Sequence, residues 1–83
     1  MTTALLADSM ATVGLGNACR VVGIDENVEH KQRRRLAELG IRPGSTFTVT
    51  QRISGGGLII KKLSTRYAID KRTASRIEVE VLS

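Results

Sequence analysis

The stretch RRRLAELGIRPGS, residues 33–45, contains the end of a helix followed by a tight turn. Leu36 and Leu39 lie three residues apart, which places them on one face of a helix. Gly40 follows directly, and glycine readily takes the left-handed conformation with which many helices end. The leucine pair therefore predicts the buried anchor of a short helix that stops at this glycine.

The start of the same helix can also be located in the sequence. Asn27 is the predicted N-cap, and Glu29 would lie near the positive end of the helix dipole. The helix is accordingly expected from about Val28 to Leu39. Beyond it, Pro43 and Gly44 predict a turn, because proline fixes φ and glycine accepts a positive φ. With the two leucines and Gly40, they form a motif that sets the shape of the chain.

Segments rich in Val, Ile and Thr flank this helix and predict five strands. They are residues 18–24, 45–53, 58–62, 66–70 and 76–82. Alternation with a period of two predicts which side chains of the second and last strands face the core. These are Phe47, Val49 and Ile53 in the one, and Ile77, Val79 and Val81 in the other. Residues 72–75 leave room for a single helical turn.

Eighty-three residues make one domain with a thin core. Short strands with one helix predict a mainly β fold, and closing a small sheet removes unpaired edges. We therefore predict a small SH3-like β-barrel, with one short helix inserted after the first strand and a late single helical turn. Residues 1–9 carry little signal and are treated as an N-terminal extension, so the domain is expected over residues 10–83.

The charge balance favours an acidic partner, since the formal net charge is +5 and the isoelectric point is about 10.2. One cysteine excludes an internal disulfide and fits a reducing compartment. No apolar run approaches the roughly 20 residues that a membrane span needs. The sequence thus predicts a cytoplasmic protein without a membrane span.

The residues needed for catalysis are scarce. Nucleophilic catalysis requires a nucleophile, a base and an orienting group, yet the chain has one Cys and one His, with nothing in sequence to link them. Glycine-rich nucleotide-binding motifs are absent. A closed zinc site takes about four Cys or His ligands, and Cys19 and His30 are the two candidates here. We therefore expect no enzymatic activity, no cofactor and no metal site within the single chain.

The three consecutive arginines fan around the predicted helix, because successive helical positions differ by ~100°. Glu29 precedes Arg33 by four residues and Glu38 follows Arg34 by four, and both spacings allow ion pairs within the helix. Much of the run is thus a solvated helix face. Some basic side chains are left over, and the surface around the helix end is the predicted partner-binding site. Its members are Arg33, Arg34, Arg35, Glu38 and Arg42.

A block of eleven residues, 34–44, follows the pattern R-x-L-x-x-L-G-I-x-P-G. It comes after RVVGI and is followed by FTVTQRI, a glycine loop, YAI and the closing RIEVEVL. In this order the signals closely resemble the FeoA family, over about Met10 to Leu82. Three positions depart from the family pattern: Leu15 replaces a common proline, Asp70 a frequent basic residue, and residues 54–57 a loop that often contains proline.

The resemblance implies an SH3-like barrel that acts as an accessory protein of ferrous iron transport. It further implies docking on the cytoplasmic part of FeoB, a transporter with a GTP-binding domain, and modulation of uptake. The same domain ends metal regulators of the diphtheria-toxin-repressor type. Two alternatives stay open: a basic barrel that binds nucleic acid, and a module that binds or senses a transition metal. Nucleic-acid binding usually needs stacking aromatics, and both Phe47 and Tyr67 occupy predicted core positions. An uncovered strand edge leaves a homo-oligomer open as well.

Overall fold

The computed structural model describes residues 8–82. The sheet is antiparallel, has six strands and runs in the order β1-β6-β2-β3-β4-β5. The strands are β1 Asp8–Ser9, β2 Ala18–Ile24, β3 Thr46–Arg52, β4 Leu58–Lys62, β5 Thr65–Ile69 and β6 Ile77–Val81. Two α-helices, α1 His30–Glu38 and α2 Lys71–Ala74, and a 3₁₀ helix at Met10–Thr12 complete the fold.

These elements confirm the predicted mainly β fold with a helix after the first long strand and a late helical turn. One strand was not predicted: β1, formed by Asp8 and Ser9 of the predicted N-terminal extension, pairs with β6. Residues 1–7 of that extension lie outside the described residues. Strand β5 is paired on one side, with β4, and lies at the end of the sheet. Its outer edge is thus unpaired among residues 8–82.

The core joins residues near both ends of the described range, from Met10 to Val79, to the central hairpins. Its buried side chains include Met10, Val13, Cys19, Val21, Leu36, Ile41, Phe47, Val49, Leu58, Ile60, Ile69, Ala74, Ile77 and Val79. Branched aliphatic residues dominate, as strands with one covered face require. Neither helix in the described part of the chain has the length and apolar character that crossing a bilayer would need.

Two predicted core positions are exposed. In β3 the register shifts between Val49 and Gln51, and such a bulge interrupts the alternation of faces. The strand then ends at Arg52, so Ile53 is 39% exposed and not buried with Phe47 and Val49. Val81 is 44% exposed because it is the last residue of β6 and extends beyond the core cluster.

Helix α1 starts two residues later than predicted, and Asn27 is not its N-cap. Asn27 instead donates its backbone N–H to the Asp25 carboxylate at 2.8 Å, while the N–H of Val28 donates to the Asp25 carbonyl at 3.1 Å. A turn that begins at Asp25 therefore precedes the helix, and Val28 at its end is buried. Glu29 then occupies the N-cap position without making a side-chain hydrogen bond there.

The end of α1 follows the prediction. Gly40 has φ +84°, and its N–H donates to the carbonyl of Ala37 at 3.0 Å. The N–H of Ile41 donates to the carbonyl of Leu36 at 2.8 Å, and both side chains are buried. This pair of bonds with an apolar contact is a Schellman motif, which satisfies carbonyls that the helix leaves open.

The predicted turn at Pro43 is also present. The N–H of Ser45 donates to the carbonyl of Arg42 at 2.9 Å, and Gly44 takes φ +95° at the position where a type II turn requires it. The Gly44 N–H donates to the carbonyl of Val21 at 2.8 Å, and the Val21 N–H donates to the carbonyl of Ser45 at 2.8 Å. These bonds attach the turn to β2 and align β3 for pairing.

We predict that Gly40→Ala lowers the free energy of unfolding by about 1–2 kcal/mol, because a Cβ is unfavourable at positive φ. The new atom would also lie 2.9 Å from Cε of Lys62, which is flexible enough to move. Urea denaturation would measure the change. Gly23→Ala is the control, since Gly23 is not at positive φ and its nearest neighbour would be 3.5 Å away. Equal effects of the two substitutions would contradict this account of the helix end.

Candidate functional site

The three arginines of α1 differ in their surroundings. Arg33 is half-buried and donates from Nη2 to the backbone carbonyl of Asp25 at 2.8 Å, so it holds the start of the helix. Arg34 and Arg35 are exposed. Arg42 lies beyond the helix in the Arg42–Ser45 turn and is exposed too. Among these four arginines, Arg33 is thus engaged in holding the helix start, whereas the other three are exposed.

The two ion pairs that the spacing in α1 allows do not form. Among residues 8–82, the single ion pair joins Arg20 and Glu80, at 3.2 Å across β2 and β6. Arg34 and Arg35 are thus left without an acidic partner inside the described part of the chain. Their long side chains remain available to an external acidic group.

A groove runs between α1 and the outer strand β5, and it contains three of the predicted residues. It has a volume of about 790 Å³ and opens to solvent. Its apolar part is formed by Leu39 and Ala68. Acidic and basic side chains also line it: Glu29, Lys31, Arg34, Arg35, Glu38 and Asp70. The groove therefore offers apolar surface and hydrogen-bonding groups of both signs beside an unpaired strand edge.

One wall of the groove is held by a polar network that sequence analysis missed. Gln32 donates from Nε2 to the Thr73 hydroxyl at 2.6 Å, and that hydroxyl donates to Oδ1 of Asp70 at 2.7 Å. The other carboxylate oxygen accepts the backbone N–H of Thr73 at 3.1 Å. Thr73 is buried, and its hydroxyl uses both its donor and an acceptor site. The network ties α1 to the first turn of α2.

Asp70 is the N-cap of α2, a position that favours an aspartate side chain. The hydrogen bond from the Thr73 side chain is the main cause that lowers the pKa of Asp70 below its ordinary value of 3.8. Backbone N–H groups act in the same direction, while partial burial opposes them. The spacing of Asp70 and Thr73 was the sequence signal for this cap, since a capping side chain bonds the third residue of the helix.

The two candidate metal ligands lie on different elements. Cys19 is fully buried in β2, where its thiol lies 3.8 Å from the carbonyl of Asn17. His30 is exposed at the first residue of α1. Over residues 8–82 no three side chains of the His, Cys, Asp or Glu types come together in a way that would hold a metal ion.

Comparison with known proteins agrees with this architecture. The sequence model of the FeoA domain matches residues 9–81. A crystal structure of the iron uptake regulatory protein FeoA is 31% identical, covers 94% of this chain and 100% of its own, and superposes with a TM-score of 0.79. No curated protein sequence gives a significant match.

Two further structures bear on the fold. The FeoA protein of Stenotrophomonas maltophilia, solved with zinc and described as a prokaryotic SH3 domain protein, is 26% identical with a TM-score of 0.70. The match covers 86% of this chain and 87% of that one. The manganese regulator SloR shares the fold alone: 13% identity and a TM-score of 0.78, over 90% of this chain and 34% of that one. The predicted SH3-like fold is thereby confirmed.

We predict that Asp70→Ala lowers the free energy of unfolding by about 1 kcal/mol at neutral pH, because the N-cap is lost. The pKa of Asp70 is lower in the folded chain, so its contribution is complete above pH ~5 and is lost as the pH falls through 3.8 and below. Denaturation curves over this range would measure the difference between wild type and variant.

The exposed carboxylate of Glu26 provides the control, and we expect Glu26→Ala to change stability little across the same range. A difference between wild type and Asp70→Ala that stayed constant down to pH 2 would show that the carboxylate does not act as a charged cap.

Proposed function

Because this chain belongs to the FeoA family, we propose that it is a cytoplasmic accessory protein of ferrous iron transport. In this proposal it docks on the cytoplasmic part of a FeoB-type transporter and modulates uptake without catalysing a reaction. Support comes from the relatives, one an iron uptake regulatory protein and another proposed to be a ferrous iron transport activating factor. The observation that carries the docking role is the groove between α1 and β5.

The groove suits an extended segment of another protein. Strand β5 presents an unpaired edge within the described residues, and an added strand can bond to such an edge through its backbone. Ala68 of β5 is exposed and also lines the groove, so a segment on this edge would pass beneath α1. Arg34 and Arg35 then offer donors to acidic side chains of the segment, which suits the charge of this chain.

The network of Gln32, Thr73 and Asp70 supports this role because it fixes the groove before a partner arrives. A preformed site loses less conformational entropy on binding than a flexible one. The groove thus combines a hydrogen-bonded wall with two exposed guanidinium groups. We infer that the wall supplies shape and that the arginines supply recognition of acidic groups.

The alternative of nucleic-acid binding would need exposed aromatic rings for stacking. The chain has two aromatic residues; Phe47 is buried and Tyr67 is half-buried beside the core. The alternative of metal binding would need ligands from further chains, because Cys19 is fully buried and lies on another element than His30. The groove therefore supports protein docking better than either alternative.

We predict that the double variant Arg34→Glu and Arg35→Glu weakens capture of the transporter's cytoplasmic region by about tenfold or more, since two attractive contacts become repulsive. Co-purification and titration with the purified region, with and without guanine nucleotide, would measure it.

The matched control is Lys71→Glu with Arg72→Glu, which makes the same change of charge at two exposed residues of α2. Unchanged circular dichroism would show that both variants fold. An equal loss of transporter binding in both double variants would show that only the overall charge of the chain matters. Undiminished binding by the Arg34→Glu and Arg35→Glu variant would show that the groove is not the docking site.

A further inference from the structure

The excess positive charge of this chain is confined to one stretch of sequence. From Leu39 to Ile69 there are five basic residues and no acidic one, whereas the rest of the chain has eight of each. The five are Arg42, Arg52, Lys61, Lys62 and Arg66. The net charge of +5 thus belongs to β3, β4, β5 and the turns that join them.

Four of these residues gather at one end of the sheet. Lys61, Lys62 and Arg66 flank the turn of the β4–β5 hairpin, which consists of Leu63 and Ser64. The register of β3 and β4 places this turn beside the start of β3, where the turn containing Arg42 ends. The stem of Lys62 also lies over Gly40, so the hairpin turn and the end of α1 are neighbours. We call Leu63 with these four basic residues the hairpin tip.

Leu63 is in an unfavourable conformation for its residue type. It is the one non-glycine residue of the described chain with positive φ, at 58°, where a Cβ costs energy and glycine or asparagine is the usual choice. Its side chain is 87% exposed, against 56% or less for the other large exposed hydrophobic residues. A leucine at this position benefits neither the turn nor the core.

The basic residues of the tip also oppose stability. Lys61 and Arg66 are direct partners across β4 and β5, which places their side chains on the same face, and both are exposed. Like charges in this position repel one another. None of the four basic residues forms an ion pair with a side chain that the structure describes. Backbone strain, an exposed leucine and unrelieved repulsion therefore coincide at one small surface.

We propose that the hairpin tip binds an anionic lipid surface, with Leu63 inserted among the acyl chains and the four basic side chains at the headgroups. This partner relieves two of these features: the leucine leaves water, and the negative headgroups offset the repulsion between Lys61 and Arg66. A convex tip needs no preformed pocket in a fluid lipid layer, whereas a protein partner would need a complementary cavity. The site is distinct from the groove and does not rest on the proposed docking role.

The test uses the whole chain and sedimentation with vesicles of equal parts phosphatidylglycerol and phosphatidylethanolamine. We expect binding that weakens as salt rises and that is absent from vesicles of phosphatidylcholine alone, because the attraction is partly electrostatic. Leu63→Asn should lower the partition coefficient about tenfold, since the apolar anchor is lost. It should also raise the melting temperature by about 4–8 °C, because asparagine suits the positive φ.

Matched controls separate the tip from general effects. Leu15→Asn alters another exposed leucine in a turn and should leave vesicle binding unchanged. Lys61→Gln with Arg66→Gln should reduce binding about tenfold, while Lys71→Gln with Arg72→Gln, an equal loss of charge on α2, should reduce it much less.

Vesicle binding by Leu63→Asn equal to that of the wild type would overturn the proposal. The proposal would also be overturned if tip variants bound vesicles normally but no longer bound the transporter's cytoplasmic region, since the tip would then contact protein. A retained pull-down by Leu63→Asn together with lost vesicle binding is the expected pattern. It would stand even if the arginine variant of α1 showed no docking defect.

Discussion

The reversal of the chain at Gly40 is the constraint on which the rest of the structure depends. The positive φ at this residue lets the N–H of Ile41 reach the carbonyl of Leu36, which brings both side chains into the core. The chain then enters the turn that bonds to β2. Because the stem of Lys62 lies over Gly40, the same reversal sets α1 beside the end of β4. The positions of the groove and of the hairpin tip both depend on this reversal at Gly40.

Neighbouring side chains of α1 differ in whether they are hydrogen-bonded to the rest of the fold or exposed to solvent. Gln32 is bonded to Thr73 and Arg33 to the backbone of Asp25, so these two hold the helix in place. Arg34 and Arg35 have no acidic partner among the described residues and extend into solvent. A helix fixed on one side and free on the other can present charge at a defined position without losing its fold. This division suits a protein that acts by being bound.

The two proposed surfaces differ in chemistry. The groove contains both signs of charge beside an apolar strip, and protein interfaces likewise combine apolar surface with polar surface. The hairpin tip has basic residues and a leucine but no acidic residue nearby in sequence. Under the two proposals together, one molecule would use both surfaces at once, because a transporter's cytoplasmic region lies next to an anionic membrane. Weak binding to lipid would raise its effective concentration at the transporter.

By itself the sequence determined the five long strands, the two α-helices and several of the places where they end. Glycines and proline locate turns through backbone conformation, and alternation locates strands, so β2, β4 and the end of α1 were predicted closely. The exposure of Ile53 was not, since the bulge depends on how β3 pairs with β4. The start of α1 was missed because a competing local turn uses the N–H groups of Asn27 and Val28. Tertiary structure alone brought Gln32 to the Asp70–Thr73 pair. Such contacts join residues far apart in the chain, and spacing carries no information about which distant groups will meet.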